Sequence, residues 1–199
     1  MKIEEIKEIF KSISEEIISN EEYLTDLDRK IGDADHGHNM AKGFKAVEAD
    51  LDKDYKDLRE FFNKIAMNLL SKVGGASGPL YGSFFMGFAG ELSGKDEITR
   101  DLLNISFKKG VEGVKKRGKA SLGDKTMVDV LEPVSQALNE NKTLEETLKI
   151  AEEKMLYTKE IKALRGRASY LGERSIGHID PGAYSSYLII KQAFGGNND

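Results

Sequence analysis

"MKIEEIKEIFKSISEEI", residues 1–17, sets Ile3, Ile6, Phe10, Ile13 and Ile17 at intervals of three and four. That spacing lines one face of an α-helix and leaves the charged residues on the other. The same period returns along most of the chain, and strand signals are scarce. A polar, acidic segment covers residues 20 to about 35. A second helix is expected from 39 to about 51, and a third carries Leu58, Phe61, Phe62, Ile65, Ala66, Leu69 and Leu70. "LYGSFFMGFAGEL", residues 80–92, is apolar around much of its circumference and reads as a central helix. Residues 98–118 make a fifth. Another starts near Thr126, carries Met127, Val130, Leu131 and Val134, and is expected to kink at Pro133. Residues 143–164 form a long amphipathic helix, opened by a Thr143/Glu146 capping box. The last spans 181–194 with Pro181 in its first turn, and the tail 195–199 should fray. About eight helices with short connections imply an all-α, antiparallel bundle in a single domain over 1–199.

Composition narrows the function. The chain has 199 residues, 39% of them hydrophobic and 32% charged. That is enough apolar material for one core and enough charge for a solvated helical surface. The net charge of −4 argues against nucleic acid, whose binders are usually basic. The absence of cysteine excludes thiolate metal sites and thiol catalysis. No apolar run is long enough for a membrane span, and the charged N-terminus is unlike a signal peptide. A cytoplasmic protein is expected.

The chemistry lies in the loops. They read "DRKIGDADHGHN" (28–39), "VGGASGP" (73–79), "KKRGKASLGDKT" (115–126) and "LRGRASYLGERSIGHIDPG" (164–182). Antiparallel connectivity could gather them at one rim. Asp33 and Asp35 are two apart, so an extended backbone would point both to one side, and Asp28 could fold back to join them. Three carboxylates offer hard oxygen ligands for magnesium or calcium, without the spacing of an EF-hand. A helix begins directly after them, and its free N–H groups favour an anion. A plainer alternative makes these aspartates turn and cap residues. His36 and His38 could join an Asp/His site for zinc or iron, although histidines two apart at a helix start do not by default face one ion. Gly74, Gly75 and Gly78 would let the backbone approach a ligand, with Ser77 supplying a hydroxyl; the alternative is a tight interhelical turn. Tyr81, Phe84, Phe85 and Phe88 read as core. Arg167 and Arg174 could clamp phosphate, or form ordinary salt bridges. The residues therefore point to a magnesium–nucleotide or magnesium–diphosphate site with no evident nucleophile.

Four motifs in series, "LDRKIGDADHGHNMAKGF", "GGASGPLYGSFF", "GDKTMVDVLEP" and "GRASYLGERSIGHIDPGA", resemble the DhaL family of dihydroxyacetone kinase subunits. The resemblance runs in order over residues 27–183. It implies a barrel of eight antiparallel helices with the nucleotide at one rim. It implies that Asp28, Asp33 and Asp35 hold two Mg²⁺ on the diphosphate. His36, Gly37, His38, Asn39, Ala76 and Ser77 would contact the nucleotide, with Gly118 and Met127 on the adenine side. Arg167, Asp180, Pro181 and Gly182 would add further contacts. His38 departs from the pattern, which more often has an apolar or hydroxyl residue there. The resemblance further implies that ADP stays bound as a coenzyme, with ATP as its transient phosphorylated form. A DhaM-like phosphohistidine protein would recharge it, drawing ultimately on phosphoenolpyruvate. A DhaK-like subunit would hold dihydroxyacetone, with a homodimer left open. A start at Met1 in the first helix and an end after the last leave no room for a substrate domain, which favours the separate-subunit system. The competing expectations are an ATP-dependent ketose kinase subunit and a nucleotide-bound module that controls a regulator.

Overall fold

A computed structural model describes residues 1–195. They form nine α-helices and one 3₁₀ segment: α1 (Ile3–Ser19), α2 (Glu21–Ile31), α3 (His36–Glu48), α4 (Leu58–Lys72), α5 (Ser77–Ala89), α6 (Arg100–Gly118), α7 (Val128–Asn139), α8 (Leu144–Tyr157), the 3₁₀ segment (Arg167–Ser175) and α9 (Pro181–Gly195). Eight of the helices close a ring. α1 packs on α3, then each helix from α3 to α9 packs on the next, and α9 returns to α1. This is the expected all-α barrel, and apolar side chains pack its interior around a cavity of about 90 Å³. Phe10, on the periodic face that opens the chain, meets Phe61, Phe62 and Phe85 edge-on at ring separations of 5.6, 5.7 and 5.6 Å. Phe84, Phe88, Phe107 and Phe194 continue that core, so the aromatics of α5 are packing residues.

The ninth helix, α2, lies where a polar segment was expected. Its buried residues are Leu24, Leu27, Asp28 and Ile31. They recur at the intervals of a helical face, but one of the four is an aspartate, and that hides the period. α3 begins at His36, three residues earlier than its apolar pattern suggested, because the Asp28 carboxylate receives the backbone N–H groups of Asp35 and His36 at 2.9 and 3.2 Å. The Thr143/Glu146 capping box forms as read, with both reciprocal bonds present. α8 nevertheless stops at Tyr157, seven residues short of its amphipathic pattern. The Thr158 hydroxyl turns back to the Met155 carbonyl at 2.7 Å and also accepts the Asp180 N–H at 3.1 Å. The chain beyond it is drawn toward Lys125 instead of continuing the helix. Pro133 lies inside α7, and Pro181 is the first residue of α9. Most of the expected fraying tail, residues 196–199, lies outside the described residues. No helix among the described residues is long and apolar enough to cross a membrane.

Candidate magnesium–nucleotide site

The α2–α3, α4–α5, α6–α7 and α8–α9 connections meet at one end of the barrel, as an up-and-down ring requires of alternate loops. Together they line a cleft of about 410 Å³. A second hollow of about 340 Å³ adjoins it and shares Ala76, Leu80, Thr126, Met127, Arg165 and Gly166.

Three carboxylates stand on the acidic side. Asp28, Asp33 and Asp35 each bring an oxygen within 4.8 Å of the others. Asp28 reaches this point from the last turn of α2, not from the loop. Its Oδ2 holds the start of α3, which leaves Oδ1 for the cluster. A Cβ on Gly32 would overlap that Oδ1, so the glycine makes room for the carboxylate. The turn is tight rather than extended. Ala34 has φ +61°, a left-handed conformation uncommon for a residue with a side chain. Asp35 occupies the N-cap position of α3, but its side chain makes no cap bond. Its carboxylate therefore remains available to the cluster. Arg167 supplies a counter-charge to Asp33 at 2.9 Å. A convergent set of hard oxygens with excess negative charge fits a divalent cation such as magnesium.

On the facing wall, α5 begins at Ser77 and presents its first N–H groups beside Gly75, whose φ of +63° permits the turn. Ser77 Oγ lies 3.0 Å from His36 Nδ1, and His36 Nε2 lies 3.0 Å from Ser185 Oγ. Ser185 and Ser186 meet the Tyr81 hydroxyl at 2.7 and 2.9 Å. This polar chain runs from the cleft into the core. Burial pushes the His36 imidazole down to about 4, against the opposing pull of Asp28 and a hydrogen bond to the Pro181 carbonyl. The ring is thus neutral near pH 7. A neutral imidazole donates from one ring nitrogen and accepts at the other, so it links the two serine hydroxyls in one direction.

Asp180 closes the third side. Its Oδ2 accepts the Ala183 N–H at 2.8 Å and caps α9. Burial pushes its carboxyl up to about 7; the Ala183 N–H and Lys125 oppose that rise, while Asp129 and Asp28 add to it.

Of the residues singled out in the sequence, Asp28, Asp33, Asp35, His36, Ala76, Ser77, Met127, Arg167, Asp180, Pro181 and Gly182 line the cleft, and Gly118 lines the adjoining hollow with Met127. Gly37, His38 and Asn39 stand outside both walls. Because α3 starts at His36, Gly37 and His38 are rotated from it by about 100° and 200°. Gly37 abuts the Glu21 carbonyl and Thr25 of α2. His38 pairs with Glu21 at 3.1 Å on the outer surface. The two histidines therefore do not share a metal. Asn39 lies against Gly74, and Arg174 is not in the wall. Sequence reasoning missed Tyr81 and Ser185 as polar members of the site, because their partners lie far along the chain or inside an apolar helix. It also missed Lys125 and Thr126, whose partners lie in the distant α8–α9 connection or within their own turn.

The DAK2 domain family matches residues 30–195. The chain is 47% identical over 177 residues to the ADP-binding subunit DhaL of a PEP-dependent dihydroxyacetone kinase from Listeria innocua, covering 88% of this chain and 87% of that one. It is 48% identical over 186 residues to the DhaL subunit of the Escherichia coli PEP-dependent enzyme, covering 88% and 89%. Among solved structures, the native dihydroxyacetone kinase of C. freundii superposes with a TM-score of 0.74 at 25% identity, over 96% of this chain and 34% of that chain. The same enzyme solved with AMP-PNP and Mg²⁺ shares the fold at 24% identity. The helical ring, the acidic cluster and these likenesses agree: the chain belongs to the DAK2 domain family and is similar along most of its length to DhaL subunits.

Proposed function

We propose that this chain is the ADP-binding subunit of a phosphoenolpyruvate-dependent dihydroxyacetone kinase. It would accept a phosphoryl group from a phosphohistidine donor protein like DhaM and deliver it to dihydroxyacetone held on a DhaK-like partner. The observation that carries this reading is the convergence of Asp28, Asp33 and Asp35 across the cleft from the start of α5. In this reading the three carboxylates hold two magnesium ions, which supply charge neutralisation to a transferring phosphoryl group. Arg167 exchanges its contact with Asp33 for a phosphate oxygen. The first N–H groups of α5 face the diphosphate. The adjoining hollow, walled by Leu80, Val114, Gly118 and Met127, receives the adenine. No side chain need act as a nucleophile, since the nucleotide itself carries the group; the protein positions it and excludes water.

The rim supports a partner subunit. Leu122, Leu164, Tyr170 and Ile176 are exposed on the loops that surround the cleft, with Tyr170 88% exposed. Apolar residues grouped around a polar site suit closure by another chain. The reading places the protein in the cytoplasm.

Native mass spectrometry of the purified protein, with and without chelator, tests it. ADP and two magnesium ions should survive purification and leave with chelator. Reconstitution with a phosphohistidine donor and a sugar-binding subunit should then turn over without added ATP. A site that exchanges ATP freely and turns over on ATP alone would favour the ATP-dependent kinase, and binding without turnover would favour a regulatory module. Absence of any nucleotide binding would refute the site.

A further inference from the structure

Lys125 lies in "GDKT" beside the cleft, where a lysine would ordinarily be assigned to phosphate. Its side chain does something else. The residue is 1% exposed and has φ +59°. Its Nζ donates to the carbonyls of Ile161, Ser175 and His178 at 3.1, 2.6 and 2.6 Å. An ammonium has three hydrogens, so all are engaged, and every acceptor belongs to the long α8–α9 connection. That connection has small apolar anchors: a cluster of Ala163 and Ala168 with Ile31 and Leu171, and Ile179 against the main core. Gly166, Gly172 and Gly177 all have positive φ, so no regular helix supports its path. Within it, the Ala163 N–H bonds Ser175 Oγ, the Gly177 N–H the Lys159 carbonyl and the Asp180 N–H Thr158 Oγ; outward, the Leu164 N–H and Arg165 tie it to Asp124 and Arg167 ties it to Asp33. Yet this strap carries Arg165, Gly166 and Arg167 to the cleft and ends in the Asp180–Pro181–Gly182 turn.

We propose that Lys125 is a positioning residue: its ammonium gathers three strap carbonyls and thereby seats Arg167 and the turn at residues 180–182 against the nucleotide site. Its effect on ligand rests on the function proposed above; its effect on the strap does not. Three carbonyl dipoles converging on one point repel unless a cation lies between them, and a neutral side chain would leave them buried and unpaired. Asp124, bonded to the strap at Arg165 and Leu164, holds the neighbouring stretch but offers no substitute charge at that point.

The test uses the full chain with Lys125→Ala, which removes the atoms of n-propylammonium, and Lys125→Met, which keeps the apolar stem. Hydrogen exchange on protein free of nucleotide should show protection lost over residues 158–180 while the helices of the ring stay slow. Affinity for ADP with Mg²⁺ should fall about tenfold or more, the scale of one lost charge-assisted contact. Millimolar n-propylammonium should restore strap protection and affinity to Lys125→Ala, whereas tetramethylammonium, which donates no hydrogen bond, should not. A strap that stays protected in both variants, or no rescue in a folded variant, overturns the proposal. Global unfolding of both variants also overturns it, because the role would then not be confined to the strap. Failure of the wild-type chain to bind ADP would count against the proposed function and leave the exchange result to decide this inference.

Discussion

Asp28→Asn separates the two roles of that carboxylate. In the native site Oδ2 accepts the backbone N–H groups of Asp35 and His36 at the start of α3. An asparagine Oδ1 can take both bonds, with a loss of about 1 kcal/mol for each as a charged acceptor becomes neutral. Against this, the substitution removes two of three carboxylate repulsions. At 4.8 Å each is about 1 kcal/mol in a water-like surround and about 3 kcal/mol at an effective dielectric constant of ~20. The metal-free variant should therefore range from about as stable as wild type to about 4 kcal/mol more stable. The cation-bound state should differ sharply, because an NH₂ replaces the metal-facing oxygen. With magnesium and ADP at about 100 times Kd, the wild type should gain about 2.7 kcal/mol. For a chain of this size that is a rise in Tm of about 5–10 °C. Asp28→Asn should rise by less than about 2 °C under the same conditions. Thermal unfolding with and without magnesium and ADP reads both terms. An unchanged ligand-induced rise in the variant, or a metal-free loss above about 10 °C, would refute the division of labour drawn here.

Two further outcomes follow from the geometry around this cluster. In chelated protein, His36 stays neutral down to about pH 4 in the fold but takes up a proton near 6.5 when unfolded. Its contribution is full above pH 6.5 and is lost as pH falls toward 4, by about 3 kcal/mol in all; Asp180, raised to about 7, gives a slope of opposite sign over the same range, so the difference in urea unfolding between wild type and His36→Gln should carry the His36 contribution. Gly37→Ala would by helix propensity stabilise by up to about 1 kcal/mol. The new Cβ instead meets the Glu21 carbonyl and Thr25, so chemical denaturation should show a net loss of about 1–3 kcal/mol, with weaker magnesium binding because α2 carries Asp28; a stabilised variant would show that α2 can shift freely.

How far the sequence reached depended on whether a signal was local. The periods of α1, α4, α6 and α9 were readable because burial on one side of a helix writes itself at intervals of three and four. The capping box at Thr143 was readable for the same reason, since both partners lie within one turn. α2 was not, because function placed an aspartate on its buried face and broke the pattern. The end of α8 was not, because the Thr158 hydroxyl takes the Met155 carbonyl and also receives the N–H of distant Asp180. The three aspartates were legible as a candidate metal set from charge and glycine content, and the structure brings their oxygens together.

The sequence by itself determined an all-helical chain, its aromatic core and an acidic turn suited to a cation, since like charges held close repel wherever they are. Only the tertiary structure decided which residues share the cleft. Closure of the ring brings four loops separated by dozens of residues to one end, and helical rotation at the start of α3 turns His36 inward while sending Gly37 and His38 elsewhere. It also decided that Lys125 holds backbone rather than ligand, because the direction of a long side chain is set by the acceptors around it, and those acceptors come from a distant strap.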